Sequence, residues 1–241
     1  MVFAQALRRE MGENTSCLFL NSREPRYLLT QLIHDSELAR SLIIELQLGS
    51  CEQLERISVP MGRILGTPKS ETFILGAYPD AVVYYDDDLA VARDAVPVVK
   101  KILTRFPNAS ALVLERNDGN LSFGYAYYER GKLVRALAGC GDRGVTLSYG
   151  FPLPAEEEYF NKSIMRDGEM FMLSSHGRIQ TMSSVPQCGG QMAYAVALDF
   201  LLGRIGGVVT EIEGVSRRQG NQPPPVRAVT LEVFHKKRLR L

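Results

Sequence analysis

Residues 121–138 read LSFGYAYYERGKLVRALA, and the alternation in them sets what the rest of the chain has to build. Phe123, Tyr125 and Tyr127 fall on one side of an extended chain, with Ser122, Gly124, Ala126 and Tyr128 on the other, which is the two-residue period of a strand. Arg130-Gly131 makes a tight link to a second strand, Lys132 to Ala138, so the stretch predicts a hairpin. Upstream, the turn-forming run Asn117-Asp118-Gly119-Asn120 separates it from a third strand, Ala111 to Arg116. The hairpin has two unlike faces: large aromatics on one, and mainly small residues on the other, where a helix can approach closely. Arg135 is a charge set among apolar neighbours within a strand.

The segments around the hairpin predict the remaining elements. Ser16 to Asn21 reads as the first strand, followed by helical spacing in Tyr27, Leu28, Leu32 and Ile33. A second helical stretch covers Ser36 to Leu48, with Leu38, Leu42, Ile43 and Leu46 on one side. Glu52 to Gly62 and Gly66 to Lys69 read as loops or short-strand connections punctuated by Pro60, Gly62, Gly66 and Pro68. Thr72 to Leu75 and Ala81 to Tyr85 read as short strands around a turn. A helix carrying Val98, Val99, Ile102, Leu103 and Phe106 begins near Val96, because Pro97 is tolerated only in a first turn. After the hairpin come a brief strand at Val145 to Tyr149 and a short acidic helix at Ala155 to Tyr159, whose glutamates suit a helix N-terminus. Gly190 to Leu202 is apolar around almost its whole circumference and is expected to be a buried helix, in which Asp199 would need a cationic mate such as Arg135.

These elements predict an α+β fold: a mixed, mainly antiparallel sheet with a central hairpin, covered by helices. Residues 1–10 read as an N-terminal extension and 11–241 as a single α+β domain. Residues 216–225 form a Pro-rich loop, and Val226 to Phe234 follows as an edge or partner strand with a frayed basic end. Ser174 to Ser184 is the expected lid or partner-facing loop.

Bulk properties narrow the functional classes. A net charge of +1 from 28 basic and 27 acidic residues gives no global attraction to nucleic acid or anionic lipid. No window has the roughly 20 apolar residues that span a bilayer, and Met1 to Arg9 has the wrong order and length for a signal peptide. Cytoplasmic residence is the resulting expectation, with no membrane and no nucleic-acid partner. The four cysteines, Cys17, Cys51, Cys140 and Cys188, form no C-x-x-C pair and are expected to be reduced.

Chemistry has two candidate places. Asp86, Asp87 and Asp88 stand between a strand and a helix, where Asp86 and Asp88 are candidate Mg²⁺ ligands and catalytic carboxylates. Neighbouring residues in an extended chain point opposite ways, so three consecutive aspartates do not make three ligands. Cys140, in the run Cys140-Gly141-Asp142-Arg143-Gly144, is a candidate nucleophile if one of His34, His176 or His235 lies beside it. Arg143 and Glu157 are candidates for supporting roles. Phosphate-binding, dinucleotide-binding, metalloprotease and hydrolase signatures are absent, and Gly203 to Gly207 follows a helix, the wrong context for cradling phosphate.

Met11-Gly12-Glu13-Asn14-Thr15, the run Phe123 to Glu129 with Gly131 to Arg135, and Gly150-Phe151-Pro152-Leu153-Pro154 with Glu156-Glu157 resemble the DUF6928 proteins, an uncharacterised bacterial family. The resemblance runs from Met11 to Leu202 and implies no activity and no catalytic residues. It places the start of the fold at Met11 and leaves 214–241 without a counterpart.

The functional expectation is a non-enzymatic binding or regulatory protein with no cofactor, of defence or immunity type, using aromatics exposed on the hairpin to meet a protein partner. Whether the chain is an enzyme at all stays open. The first alternative is an Mg-dependent hydrolase or phosphoryl-transfer enzyme using Asp86 to Asp88, with Glu157 or Arg143 close by. The second is a self-associating structural subunit, a homo-oligomer in which the aromatic sheet face packs on its copy.

Overall fold

The computed structural model describes residues 14–22, 33–46, 48, 50–60, 71–87, 89, 95–117, 122–140, 143–160, 163–166, 169–172, 192–193, 195–197, 199–200 and 228–236. The expected extension 1–10, most of the helical stretch at 24–33, Asp88, His176, the loop 174–184 and the Pro-rich 216–225 lie outside them.

Eleven strands and three short helices are named here in chain order. They are β1 (Asn14–Asn21), α1 (Ser36–Glu45), β2 (Cys51–Pro60), β3 (Thr72–Tyr78), β4 (Ala81–Tyr85), α2 (Ala95–Arg105), β5 (Ser110–Asn117), β6 (Ser122–Glu129), β7 (Lys132–Cys140), β8 (Gly144–Tyr149), α3 (Pro154–Phe160), β9 (Ser163–Arg166), β10 (Glu169–Met172) and β11 (Ala228–Lys236). Nine strands make one sheet in the order β2-β11-β3-β4-β1-β5-β6-β7-β8, and every neighbouring pair is antiparallel. β9 and β10 pair separately, and β10 lies against β8.

The expectation of an α+β fold covered by helices is therefore corrected: the protein is mainly β, one large antiparallel sheet with small helices. Where Glu52 to Gly62 read as a loop or short-strand connection, Cys51–Pro60 form the ten-residue strand β2 at one edge of the sheet. Glu52, Glu55 and Arg56 interrupt its apolar pattern, as charges commonly do on edge strands that must not pair with another chain. The C-terminal strand, expected as an edge or partner strand, forms, and the edge placement is corrected. β11 lies inside the sheet between β2 and β3 rather than at an edge. Its last residue, Lys236, is anchored through its backbone N–H to Glu71 O at 2.7 Å.

Both faces of the sheet are buried, which follows from alternation along the central strands. Cys17 and Phe19 of β1 join one core with Ile74, Tyr78, Val83, Leu112, Leu114, Phe123, Tyr125 and Tyr127, closed by Leu153, Ala155 and the helical residues Met192, Ala193, Val196, Ala197 and Phe200. Leu18 and Leu20 join the opposite core with Phe73, Leu75, Tyr84, Val113, Ala126 and Tyr128, covered by Ala39, Leu42 and Ile43 of α1 and Val99, Ile102 and Leu103 of α2. Burying each of the larger side chains contributes about 1.5–3 kcal/mol against chain entropy. The aromatics of β6 thus lie inside the protein. Tyr127 meets Phe200 edge to face at 6.2 Å, so the hairpin offers no exposed aromatic surface of the kind expected. The face that a second copy was expected to cover is already filled.

α1 starts where Asp35 caps it, its carboxylate accepting from the N–H of Glu37 at 3.0 Å and Leu38 at 2.9 Å. The described part of α2 runs Ala95–Arg105, with Pro97 near its first residue.

Candidate functional site

Three groups of buried polar side chains sit among the described elements, and each joins segments that are distant in sequence. The first lies beneath the β7–β8 end. Arg135, on β7, is 1% exposed as a side chain and Glu156, on α3, is fully buried. Arg135 Nε donates to both carboxylate oxygens at 3.1 Å, and Nη2 to Oε1 at 2.7 Å. Nη1 converges on Ser148 Oγ, Tyr149 O and Gly150 O, each at 3.0 Å. Glu156 in turn accepts from the backbone N–H of Leu153, which precedes the first helical residue, Pro154. That is the reciprocal half of a capping box, a glutamate in the third helical position reaching back to the cap residue, with proline in the first position. Burial pulls the Arg135 guanidinium down, and the hydrogen bonds and charge of Glu156 together with Tyr125 outweigh it, leaving the group above its ordinary pKa. Tyr125 is pushed well up, by burial first and then by the Glu156 charge. Its hydroxyl feels both neighbours but makes no hydrogen bond of good geometry.

This ion pair fixes a short run that points outward. Gly150 turns with φ of 76°, and a Cβ there would come within 2.0 Å of Val134 O, so only glycine fits. Val134 is the extra residue of a bulge between β6 and β7. Around this turn are four partly or wholly exposed apolar side chains: Val134, Leu147, Tyr149 at 53% and Phe151 at 91%. Leu147 and Tyr149 stand opposite Ala138 and Ala136, on the same face of β8. The backbone carrying them is tied at the carbonyls of Tyr149 and Gly150 to a buried guanidinium, so the aromatic rings are presented on a rigid support.

The second group surrounds Glu232 of β11, whose side chain is 2% exposed. Its Oε1 accepts from Ser36 Oγ at 3.0 Å, Gln53 Nε2 at 3.2 Å and Arg56 Nε at 2.9 Å. His34 Nε2 lies 3.1 Å from Oε2, off the line of a good hydrogen bond. Burial pushes the Glu232 carboxyl up, and the closeness of His34 together with the hydrogen bonds from Ser36 and Arg56 outweighs it, leaving its pKa lowered. His34 Nδ1 accepts from the Ala77 N–H at 3.3 Å, so its lone pair is not open to act as a general base.

The third group holds Asp86. Its Oδ1 accepts from Lys236 Nζ at 2.8 Å and its Oδ2 from the Tyr84 hydroxyl. Nearby, burial pushes the Cys51 thiol up, Lys236 draws it back and Asp86 adds to the rise. A thiol so placed is a poor nucleophile.

The residues singled out from sequence are therefore scattered. Asp86 is buried and engaged, Asp87 is exposed, and Asp88 lies outside the described residues. Among the described residues, no three His, Cys, Asp or Glu side chains are grouped to hold a metal ion. Cys140 ends β7, half-buried, six strand spacings away from β11 and His235. At about 4.8 Å per strand spacing, that is roughly 29 Å. Arg143 and Glu157 are exposed. Arg143 follows β7, four strand spacings from β4, where Asp86 lies, or about 19 Å. The carboxylate bonded to Arg135 is Glu156; Asp199 is buried as well, at 6%. Glu232 and Arg56 were missed, and His34 was weighed only as a neighbour of Cys140. Only the polar side of β11 hinted at them, and its burial depends on partners 176 and more residues away.

The fold and its polar groups define a mainly β protein whose buried charges brace the sheet and whose exposed aromatics cluster at one end of it. The chain belongs to DUF6928, a family of unknown function, whose model matches residues 15–167. The Arg135–Glu156 pair and the apolar cluster fall inside that segment, whereas Glu232 and Lys236 lie beyond it. No curated protein and no solved structure matches the chain. Among the described residues no helix is long and apolar enough to cross a membrane.

Proposed function

We propose that the protein is a non-enzymatic binding or regulatory protein that meets a protein partner through the Leu147–Phe151 end of β8. The observation that carries this reading is Phe151, 91% exposed beside Tyr149 on a backbone held by Arg135. Single exposed apolar residues are ordinary, but four around one turn form a patch of the kind that interaction sites use. Aromatic rings on a rigid support also lose little freedom on binding, which is why such residues dominate interface energetics. The geometry gives less to the magnesium reading, since Asp86 already uses its carboxylate on Lys236 and Tyr84.

The test is site-specific photo-crosslinking in the native cell, with a photoreactive phenylalanine analogue at position 151 and, as a control, at the exposed Lys100 of α2. A discrete adduct at 151, absent at 100 and lost when Tyr149→Ser is added, is the expected result. The same pattern from both positions would contradict the reading.

A further inference from the structure

β11 stays with β2 along Ala228–Lys236 but runs beside β3 only from Glu232 to His235. Past that point the two strands part, and side chains fill the split. Ala77 of β3 donates its N–H to His34 Nδ1 at 3.3 Å, and its C=O accepts from the N–H of Asp35 at 2.8 Å. The Tyr78 hydroxyl donates to Thr230 O at 2.7 Å, and Leu231 sits over Gly76, where a Cβ would come within 2.5 Å of it. Residues 34 and 35 thus take the ladder position that β11 vacates, and they lead directly into α1.

We propose that His34 is a protonation-sensitive latch at this split: neutral imidazole holds residues 33–36 on β3, and its protonation releases them. A ring that accepts at Nδ1 must carry its proton on Nε2, where Glu232 Oε2 lies 3.1 Å away. A second proton has only Nδ1 to occupy, and there it meets the Ala77 N–H, donor against donor. Among the described residues, the charged and titratable groups around the ring are Glu232 from β11, Tyr78 from β3 with its ring edge-to-face at 5.9 Å, Arg56 from β2 on the far oxygen of Glu232, and Asp35 beside it in the chain. Glu232 lies on the Nε2 side of the ring, so the change falls at Nδ1, where the Ala77 N–H loses its acceptor. The cap of α1 moves with it, because Asp35 is bonded to Ala77 through its own N–H.

Amide exchange at Ala77, followed by NMR on the full chain at about pH 8 and about pH 5.5, tests this. Relative to the free-peptide rate at each pH, Ala77 protection is expected to fall about tenfold at the lower pH while that of Phe19 in β1 is unchanged. His34→Gln can accept and donate but does not titrate, and it is expected to remove the fall. Equal protection at both pH values, or a fall that persists in His34→Gln, overturns the proposal. If that variant does not fold, the ring nitrogen shifts of the wild type decide: a proton on Nε2 at the higher pH supports the latch, and one on Nδ1 overturns it.

Discussion

Arg135 and Glu156 face each other in the interior with Nη2 2.7 Å from Oε1, and the same guanidinium holds the carbonyls of Tyr149 and Gly150. One side chain thereby fixes the start of α3 and the backbone of the exposed aromatics. Removing either member leaves the other charge buried, which costs about 3–5 kcal/mol. Arg135→Met and Glu156→Leu are each expected to lose stability on that scale in urea unfolding at neutral pH, and the double variant to lose clearly less than the sum. Strict additivity would show that the two do not act as a pair.

Gly150→Ala should be costly although it adds a single methyl group. The turn needs a positive φ, and the added Cβ would meet Val134 O at 2.0 Å. A strained αL residue alone costs about 1–3 kcal/mol, and the backbone must also shift. The expected outcome is a lower unfolding midpoint together with chemical-shift changes confined to the β7–β8 end; an unchanged midpoint would mean that the turn is not fixed as described.

Glu232 gives stability an acid edge. Its folded pKa is lowered, so its contribution is present above the unfolded value, near 4.5, and is lost as pH falls through the folded one. Glu232→Gln is expected to be less stable than wild type at neutral pH, with the gap closing below that value. Denaturant curves at several acidic pH values measure it, and a gap that stayed constant would contradict the assignment.

The buried tyrosines set the alkaline edge. Burial raises Tyr78 and Tyr125 well above the ordinary value of 10.0 and pushes Tyr127 up to about 12. A raised folded pKa means stability that is intact below the unfolded value and is lost as pH rises through the folded one. Phenolate absorbance is therefore expected to show these rings ionising together with unfolding. A gradual titration of all tyrosines in the native state would contradict that burial.

Much of the sheet was legible because it depends on local alternation. Phe123, Tyr125 and Tyr127 against Ala126 and Tyr128 specify a strand with two buried faces, and both cores form on it. What was not legible depends on distant partners. β2 carries charges because it is an edge, and those charges erase its period. β11 looks half polar, yet Glu232 is buried because Ser36, Gln53 and Arg56 supply its donors. Arg135 stood out at once, but its partner lies on a helix whose glutamates read as simple dipole complements. The exposed ring at Phe151 carried no periodic signal, being one residue beyond a turn.

The central claim is that Phe151 and Tyr149 are a partner-binding surface. Hydroxyl-radical footprinting, comparing the purified protein with the protein in its native cell at matched oxidant exposure, tests it most directly. Phe151 and Tyr149 are predicted to oxidise readily in the purified protein and to be protected in the cell, while exposed residues remote from the β8 end, such as Ile44, react equally in both. Equal oxidation of Phe151 and Tyr149 in the two settings would contradict it.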